Sequence, residues 1–277
     1  MASTEWGAGW SSIAVGAAAA LALSLVLSLV IGLFSLRVRA LFYAMITLAV
    51  ASAFVTLVSH LTELTGGEDG LTFGVPALLS PSFRLADDPV FGVYLDGRLI
   101  TYYLLLGAAA ILFLALLRVV NSPFGRVLQA IRENDFRAEA LGYPIVLYRT
   151  VSNVLGAAFA TAAGVLLAVW LRYNGPGTSL SFEIMLDILL IVVIGGMGTM
   201  YGAVVGTVVF MFAQAYLQDV IALAGTSVAA LPLVGRFLAA LFSPDRWLLW
   251  LGSLFVLSVY FFPTGLVGRW RGAMRRK

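Results

Sequence analysis

Long apolar runs alternate along the chain with short polar breaks. Ile13–Phe34 is the first and Leu41–Leu61 the second, with Leu99–Leu117 and Ile145–Leu171 following as the third and fourth. At 1.5 Å of rise per residue, ~20 apolar residues cross a hydrocarbon core ~30 Å thick. Phe182–Val193 opens a fifth run. A glycine-rich break, Gly195–Gly202, separates it from a sixth ending near Ala224, and Trp247–Phe262 is the last. Residues 225–240 are interrupted by Pro232 and Gly235, and are expected to form an extracytoplasmic-side or re-entrant piece rather than a span. The pattern predicts an all-α, polytopic integral membrane protein with about seven transmembrane helices.

Asn121–Tyr148 breaks this pattern. Phe124, Val127, Leu128 and Ile131 fall at i, i+3, i+4 and i+7 and so share one helical face, with Arg126, Arg132 and Glu133 between them. Ser122 suits a helix N-cap and Pro123 the first helical position. Gly142 and Pro144 stop the segment. The apolar stripe fails at Asn134-Asp135, which predicts two short helices with a corner rather than one rod. Glu133 and Arg137 stand at i, i+4 in the favourable order for an ion pair. A segment of this kind is either a connector lying on the membrane surface or a docking knob for a soluble partner.

Composition narrows the class. Of 277 residues, 61% are hydrophobic and 11% charged, against about 25% charged in soluble domains. There is no cysteine, so disulfides, thiolate nucleophiles and cysteine-bound metals are excluded. His60 is the sole histidine, and its place at a span end marks it as interfacial. The sole lysine is the terminal Lys277, which removes a P-loop from this chain. The net charge of +3 comes from arginines beside apolar runs, where membrane orientation explains them and nucleic acid does not.

Arg37, Arg39, the arginines from Arg118 to Arg149 and the basic tail from Arg269 to Lys277 belong on the cytoplasmic side by the positive-inside rule. Seven spans then put the N-terminus outside, the C-terminus inside, and the acidic, turn-rich loop 63–97 outside. Residues 121–144 face the cytoplasm. Gly156, Ala157, Ala160 and Gly164 make the fourth span a candidate for close helix packing. Asp187, deeper in the fifth span than Glu183, is a candidate pathway residue, and a structural hydrogen-bonding role is the equal alternative. Gly195, Gly196, Gly198 and Thr199 either expose backbone groups to a substrate or let two spans turn and pack closely, the second being slightly favoured.

Five stretches in order resemble one family. SPFGRVLQAIRENDFRAEALGY, from Ser122 to Tyr143, is similar to the cytoplasmic coupling segment of ABC transporter permeases for branched-chain amino acids, with Glu139, Ala140 and Gly142 resembling a compressed Glu-Ala-Ala…Gly signature. Ser35–Ala49 resembles the family's Leu-Arg-x-Arg-Gly-x-Tyr-x-Ala segment, with Ala40 where glycine is usual. Leu64–Leu71 resembles its Thr-Gly-Gly-x-x-Gly loop, Ile194–Gly206 its Gly-Gly-x-Gly segment, and Phe261–Gly268 its closing Pro-x-Gly-Leu. The best match is the subunit paired with a second, homologous permease. The family's usual opening, an Asn-Leu…Gly…Ser-Leu-Gly-His-x-x-Phe segment, is not found. The expectation is a truncated or misassigned start, or a reduced variant.

The resemblance implies one permease domain over 1–277 in a bacterial plasma (inner) membrane. It would move branched-chain or other hydrophobic amino acids as part of an ATP-driven importer. Partners would be the second permease, cytoplasmic ATPase subunits that hold ATP and Mg, and an extracytoplasmic substrate-binding protein. No cofactor would be bound by this chain, and no enzyme activity or nucleic-acid binding is expected. The ATPase-coupling residues would be Phe124, Arg126, Val127, Leu128, Ile131, Arg132, Glu139, Ala140 and Gly142. The alternatives are a permease for urea or a small amide and, less favoured, an autonomous secondary transporter, which would want intramembrane ion pairs or inverted repeats.

Overall fold

A computed structural model describes residues 9–35, 40–84, 96–229 and 246–261, together with Gly265, Val267 and Gly268. The basic tail from Arg269, and most of the interrupted 225–245 piece, lie outside the described residues. The principal helices are α1 (Trp10–Ser35), α2 (Ala40–His60), α3 (Gly97–Val120), α4 (Pro123–Glu133), α5 (Asp135–Ala140), α6 (Ile145–Leu171), α7 (Phe182–Gly195), α8 (Met200–Ala229) and α9 (Trp247–Phe261). Among the described residues, 6 helical segments are long and apolar enough to cross a membrane, from Trp10–Leu33 to Met200–Leu223. The chain is a multi-pass membrane protein. Large apolar side chains such as Met45 and Ile111, each 67% exposed, cover the outsides of these helices, as expected where lipid or another subunit replaces water. The last expected span corresponds to α9, whose described part has 15 residues.

Residues 1–181 and 182–277 form two compact units. In the first, α1 packs along α6 through the small residues of both helices, and a polar seam runs through the contact. Thr161 Oγ1 donates to Ser24 Oγ at 2.7 Å, and Asn153 Nδ2 donates to the Ser28 carbonyl at 3.0 Å. Such bonds contribute about 0.6 kcal/mol each between helices in lipid, and they fix register as well. The described part of the segment after α2, up to Arg84, is folded by specific contacts. Thr65 Oγ1 donates to the Val58 carbonyl at 2.6 Å. Strand β1 (Leu71–Thr72) pairs antiparallel with β2 (Tyr173–Asn174), Leu71 opposite Asn174. Leu79, 1% exposed, plugs the space under this loop.

In the second unit α7 and α8 form a tight hairpin. A Cβ on Gly195 would lie 1.9 Å from the Gly202 carbonyl oxygen, and one on Gly206 2.1 Å from that of Ile191. No other residue type permits helices this close.

Candidate functional site

The segment between α3 and α6 folds as a helix, a corner and a second helix. Ser122 Oγ accepts from the Gly125 amide at 3.4 Å and donates to the Val119 carbonyl at 2.6 Å, while Pro123 starts α4. Asn134 makes the corner. Its backbone is extended (φ −159°, ψ 100°), and its Oδ1 accepts from the Arg137 amide at 2.9 Å, capping α5. After α5 the Gly142 amide donates to the Glu139 carbonyl at 2.8 Å and the Tyr143 amide to that of Ala138 at 3.2 Å. Gly142 has φ +88°. This is the left-handed C-terminal stop that glycine makes without strain.

The corner has a consequence for charge. Glu133 ends α4 and Arg137 belongs to α5, so the i, i+4 pair expected between them does not form. Asp135 instead reaches Arg149 on α6, Oδ2 to Nη2 at 3.5 Å. Its Oδ1 accepts from the Phe136 amide at 3.0 Å.

The apolar stripe of α4 faces the chain itself. Ile131 is 4% exposed. Phe124 stacks on Tyr148 of α6 with ring centroids 5.6 Å apart, and Val127 and Leu128 are half-buried. Ile131 is therefore buried within the chain's own fold rather than presented on its surface. The exposed apolar side chains are ones the period did not mark: Phe136 at 84% and Leu141 at 72%. Phe136 lies in the first turn of α5 and Leu141 caps its end, and the helix buries Ala138, 3% exposed. Arg126, Arg132, Glu139 and Ala140 are exposed around them. The signal that would have found Phe136 is its position off the stripe, one turn before the Glu139-Ala140 signature.

Beside α4 a cleft of about 490 Å³ opens, lined by Tyr43 of α2, Leu128 of α4, and Arg149, Asn153, Gly156 and Ala160 of α6. Tyr43 Oη donates to Asn153 Oδ1 at 3.4 Å. Tyr43 lies in the Ser35–Ala49 stretch, so two of the stretches singled out in the sequence meet here. Arg149 joins the cleft wall to α5 through Asp135.

The other candidates sit in the second unit. Asp187 is half-buried on α7. The polar groups of the glycine-rich turn are used internally. The Gly196 amide bonds the Val192 carbonyl at 3.0 Å, and Thr199 Oγ1 accepts from the Gly202 amide at 3.2 Å. Gly196 and Gly198 have φ of +115° and +102°, and Gly265 of the closing Pro-x-Gly stretch seats against Gly196. The turn brings α7 and α8 into close backbone contact. Among the described residues no group of three or more His, Asp or Glu side chains could hold a metal.

The comparisons agree with one another. The profile of the family described as branched-chain amino acid transport system / permease component matches residues 1–257. The high-affinity branched-chain amino acid transport system permease protein LivM of Salmonella typhimurium is 26% identical over 254 residues, which is 87% of this chain and 54% of that protein. The probable branched-chain amino acid transport permease protein LivM of Methanocaldococcus jannaschii is 26% identical over 223 residues, 79% of this chain and 58% of that one. BraD of Pseudomonas aeruginosa, a high-affinity branched-chain amino acid transport system permease protein, is 25% identical over 202 residues, 73% and 58% of the two chains. The chain thus spans about half the length of the curated relatives it matches. No solved structure matches it. With a family profile covering nearly the whole chain, this protein belongs to the branched-chain amino acid transport system permease component family.

Proposed function

We propose that this chain is a membrane-spanning permease subunit of an ATP-driven importer for branched-chain or other hydrophobic amino acids. It works as one permease domain with a second, homologous permease. Cytoplasmic ATPase subunits hold ATP and Mg and do the hydrolysis, and an extracytoplasmic binding protein delivers substrate. The chain itself is not an enzyme. It lies in a bacterial plasma membrane with residues 121–144 and the C-terminus in the cytoplasm and 63–97 outside, an orientation supported by the placement of its arginines.

The observation that carries this reading is the exposed tip of α5. Phe136 and Leu141 stand out between two long membrane-crossing helices, 84% and 72% exposed, with Arg132, Arg137 and Glu139 on the rim. An aromatic anchor with a charged rim is what a groove on a soluble partner binds. A movement of that groove would pass to α6 through α5, the Asp135–Arg149 pair and the packed stripe of α4. Packed contacts of this kind shift between discrete arrangements rather than deform gradually. The glycine-rich turn then serves the close pairing of α7 and α8, and Asp187 remains the residue of that unit proposed for the pathway.

The test is co-purification of this chain with its paired permease and the ATPase, pulling on the ATPase. The intact chain is expected in the eluate. Phe136→Asp is expected to reduce recovery by a factor of about 30 or more, the effect of removing an interface anchor worth ~2 kcal/mol or more. Failure of the intact chain to co-elute with any ATPase would overturn the proposal.

A further inference from the structure

At the end of the first unit away from α4 and α5, the residue that caps α6 takes an unusual form. The position after Leu171 has φ +55°, a left-handed helix cap where glycine is the easy choice. The residue there is Arg172, and among the described residues no other non-glycine has positive φ. A side chain kept in such a conformation is the observation from which a role for that side chain is argued.

The side chain is built in. Arg172 Nη2 donates to the Leu79 carbonyl at 2.9 Å, an oxygen that also accepts from Thr101 Oγ1 at 3.3 Å. Leu79 and Thr101 are 1% and 2% exposed, so this support is rigid. The Arg172 carbonyl accepts from the Phe73 amide at 3.1 Å. Yet Arg172 Nε is buried with no hydrogen-bond partner. Arginine does not give up its charge, and a buried N–H left unmatched is costly.

Arg172 borders a cavity of about 380 Å³ with Pro81, Arg98, Trp170 and Leu171. Its described lining holds two guanidinium groups and no carboxylate. Among the described residues neither Arg98 nor Arg172 has an ion-pair partner. Trp170 adds an apolar wall, backed edge-on by Tyr102 at 6.4 Å. Guanidinium forks match the oxygens of carboxylates and phosphates, and an indole face suits an apolar chain.

We propose that this cavity binds a carboxylate or phosphate carried on an apolar body, held by Arg98 and Arg172 against Trp170. Two ligands share that chemistry: a free hydrophobic amino acid and an anionic lipid. The amino-acid source rests on the importer reading above. The lipid source does not.

The experiment uses the full chain in phosphatidylcholine nanodiscs, with tritiated leucine and phosphatidylglycerol as separate probes. Leucine is measured by equilibrium binding, and retained phosphatidylglycerol by native mass spectrometry. At least one probe is expected to bind, and Arg98→Gln is expected to weaken it about tenfold, the usual size of one charge-assisted contact. Arg98 is exposed and donates to no described residue, so this variant tests the site without unfolding it. Arg172→Gln should weaken binding further while eluting as a single species. Leucine binding that leucinamide, lacking the carboxylate, fails to displace identifies the amino acid as the source. Phosphatidylglycerol retention without leucine binding identifies the lipid. Binding of neither probe, or equal binding by the intact chain and both variants, overturns the proposal. A chain that retains phosphatidylglycerol here but never co-elutes with an ATPase would keep this site and lose the importer function.

Discussion

α4 and α5 are joined at one residue, Asn134, and dispose of their apolar side chains in opposite ways. On α4 the regular stripe of Phe124, Val127, Leu128 and Ile131 turns inward, with Ile131 4% exposed. On α5 a short, irregular sequence buries one small residue, Ala138, and leaves Phe136 84% exposed. A helical apolar period reports which face a helix buries, and the first surface available to bury it is the chain's own. Here α6 supplies that surface with Tyr148 stacked on Phe124. Side chains left for a partner are therefore those the period does not use.

Two substitutions of the same kind break this comparison most directly. Ile131→Asp puts a charge where the fold has excluded water. The expected result is loss of a stable, monodisperse chain, since an unpaired buried charge costs several kcal/mol. Phe136→Asp is expected to leave elution and thermal stability in detergent unchanged while abolishing ATPase recovery. Equal thermal stability for the two variants would show that the stripe of α4 is not turned inward as described.

Gly142→Ala sharpens the picture at the next level of effect. A Cβ there meets nothing within 4 Å, so only the left-handed backbone at φ +88° resists it. The cost should be about 1–2 kcal/mol, a fall of roughly 2–4 °C per kcal/mol in a chain of this size. Thermal aggregation in detergent measures it. An unchanged midpoint would mean that α5 ends in another conformation.

The legible parts of this molecule are those specified by neighbours in sequence. The run Ile145–Leu171 coincides with α6, because a long apolar stretch bounded by Pro144 and a polar turn has one solution in a bilayer. The corner at Asn134 was visible as a break in the stripe, though not the side-chain cap that Asn134 makes there. The same corner removes the Glu133–Arg137 pair, which counting four residues along a single helix had implied. What needs partners far along the chain was not legible. Leu71 pairs with Asn174, and Arg172 leans on Leu79. Neither contact has a local signal, since each is decided by which helices pack side by side. The glycines of 195–206 announced a close approach, but not that Gly195 would face Gly202 and Gly206 would face Ile191.

The smallest expected effect falls on the link between the two regions. Asp135 and Arg149 meet at 3.5 Å with 60% and 42% of their side chains exposed, so solvent screening leaves the pair worth about 0–1 kcal/mol to stability. Asp135→Arg should shift the thermal midpoint little. It does place two arginines together where α5 is tied to the wall of the cleft, and the register between the exposed tip and α6 should loosen. In the reconstituted complex this predicts an unchanged ATPase rate with transport per ATP lower by a factor of a few. The paired exchange Asp135→Arg with Arg149→Asp restores opposite charges across the same gap and should recover most of that loss, whereas Arg149→Asp alone should not. Raising the salt should narrow the difference between intact and single-variant complexes, because an exposed pair is screened within ~10 Å at ~0.1 M. If the double exchange transports no better than either single variant, the link between α5 and α6 runs through the packed stripe of α4 alone.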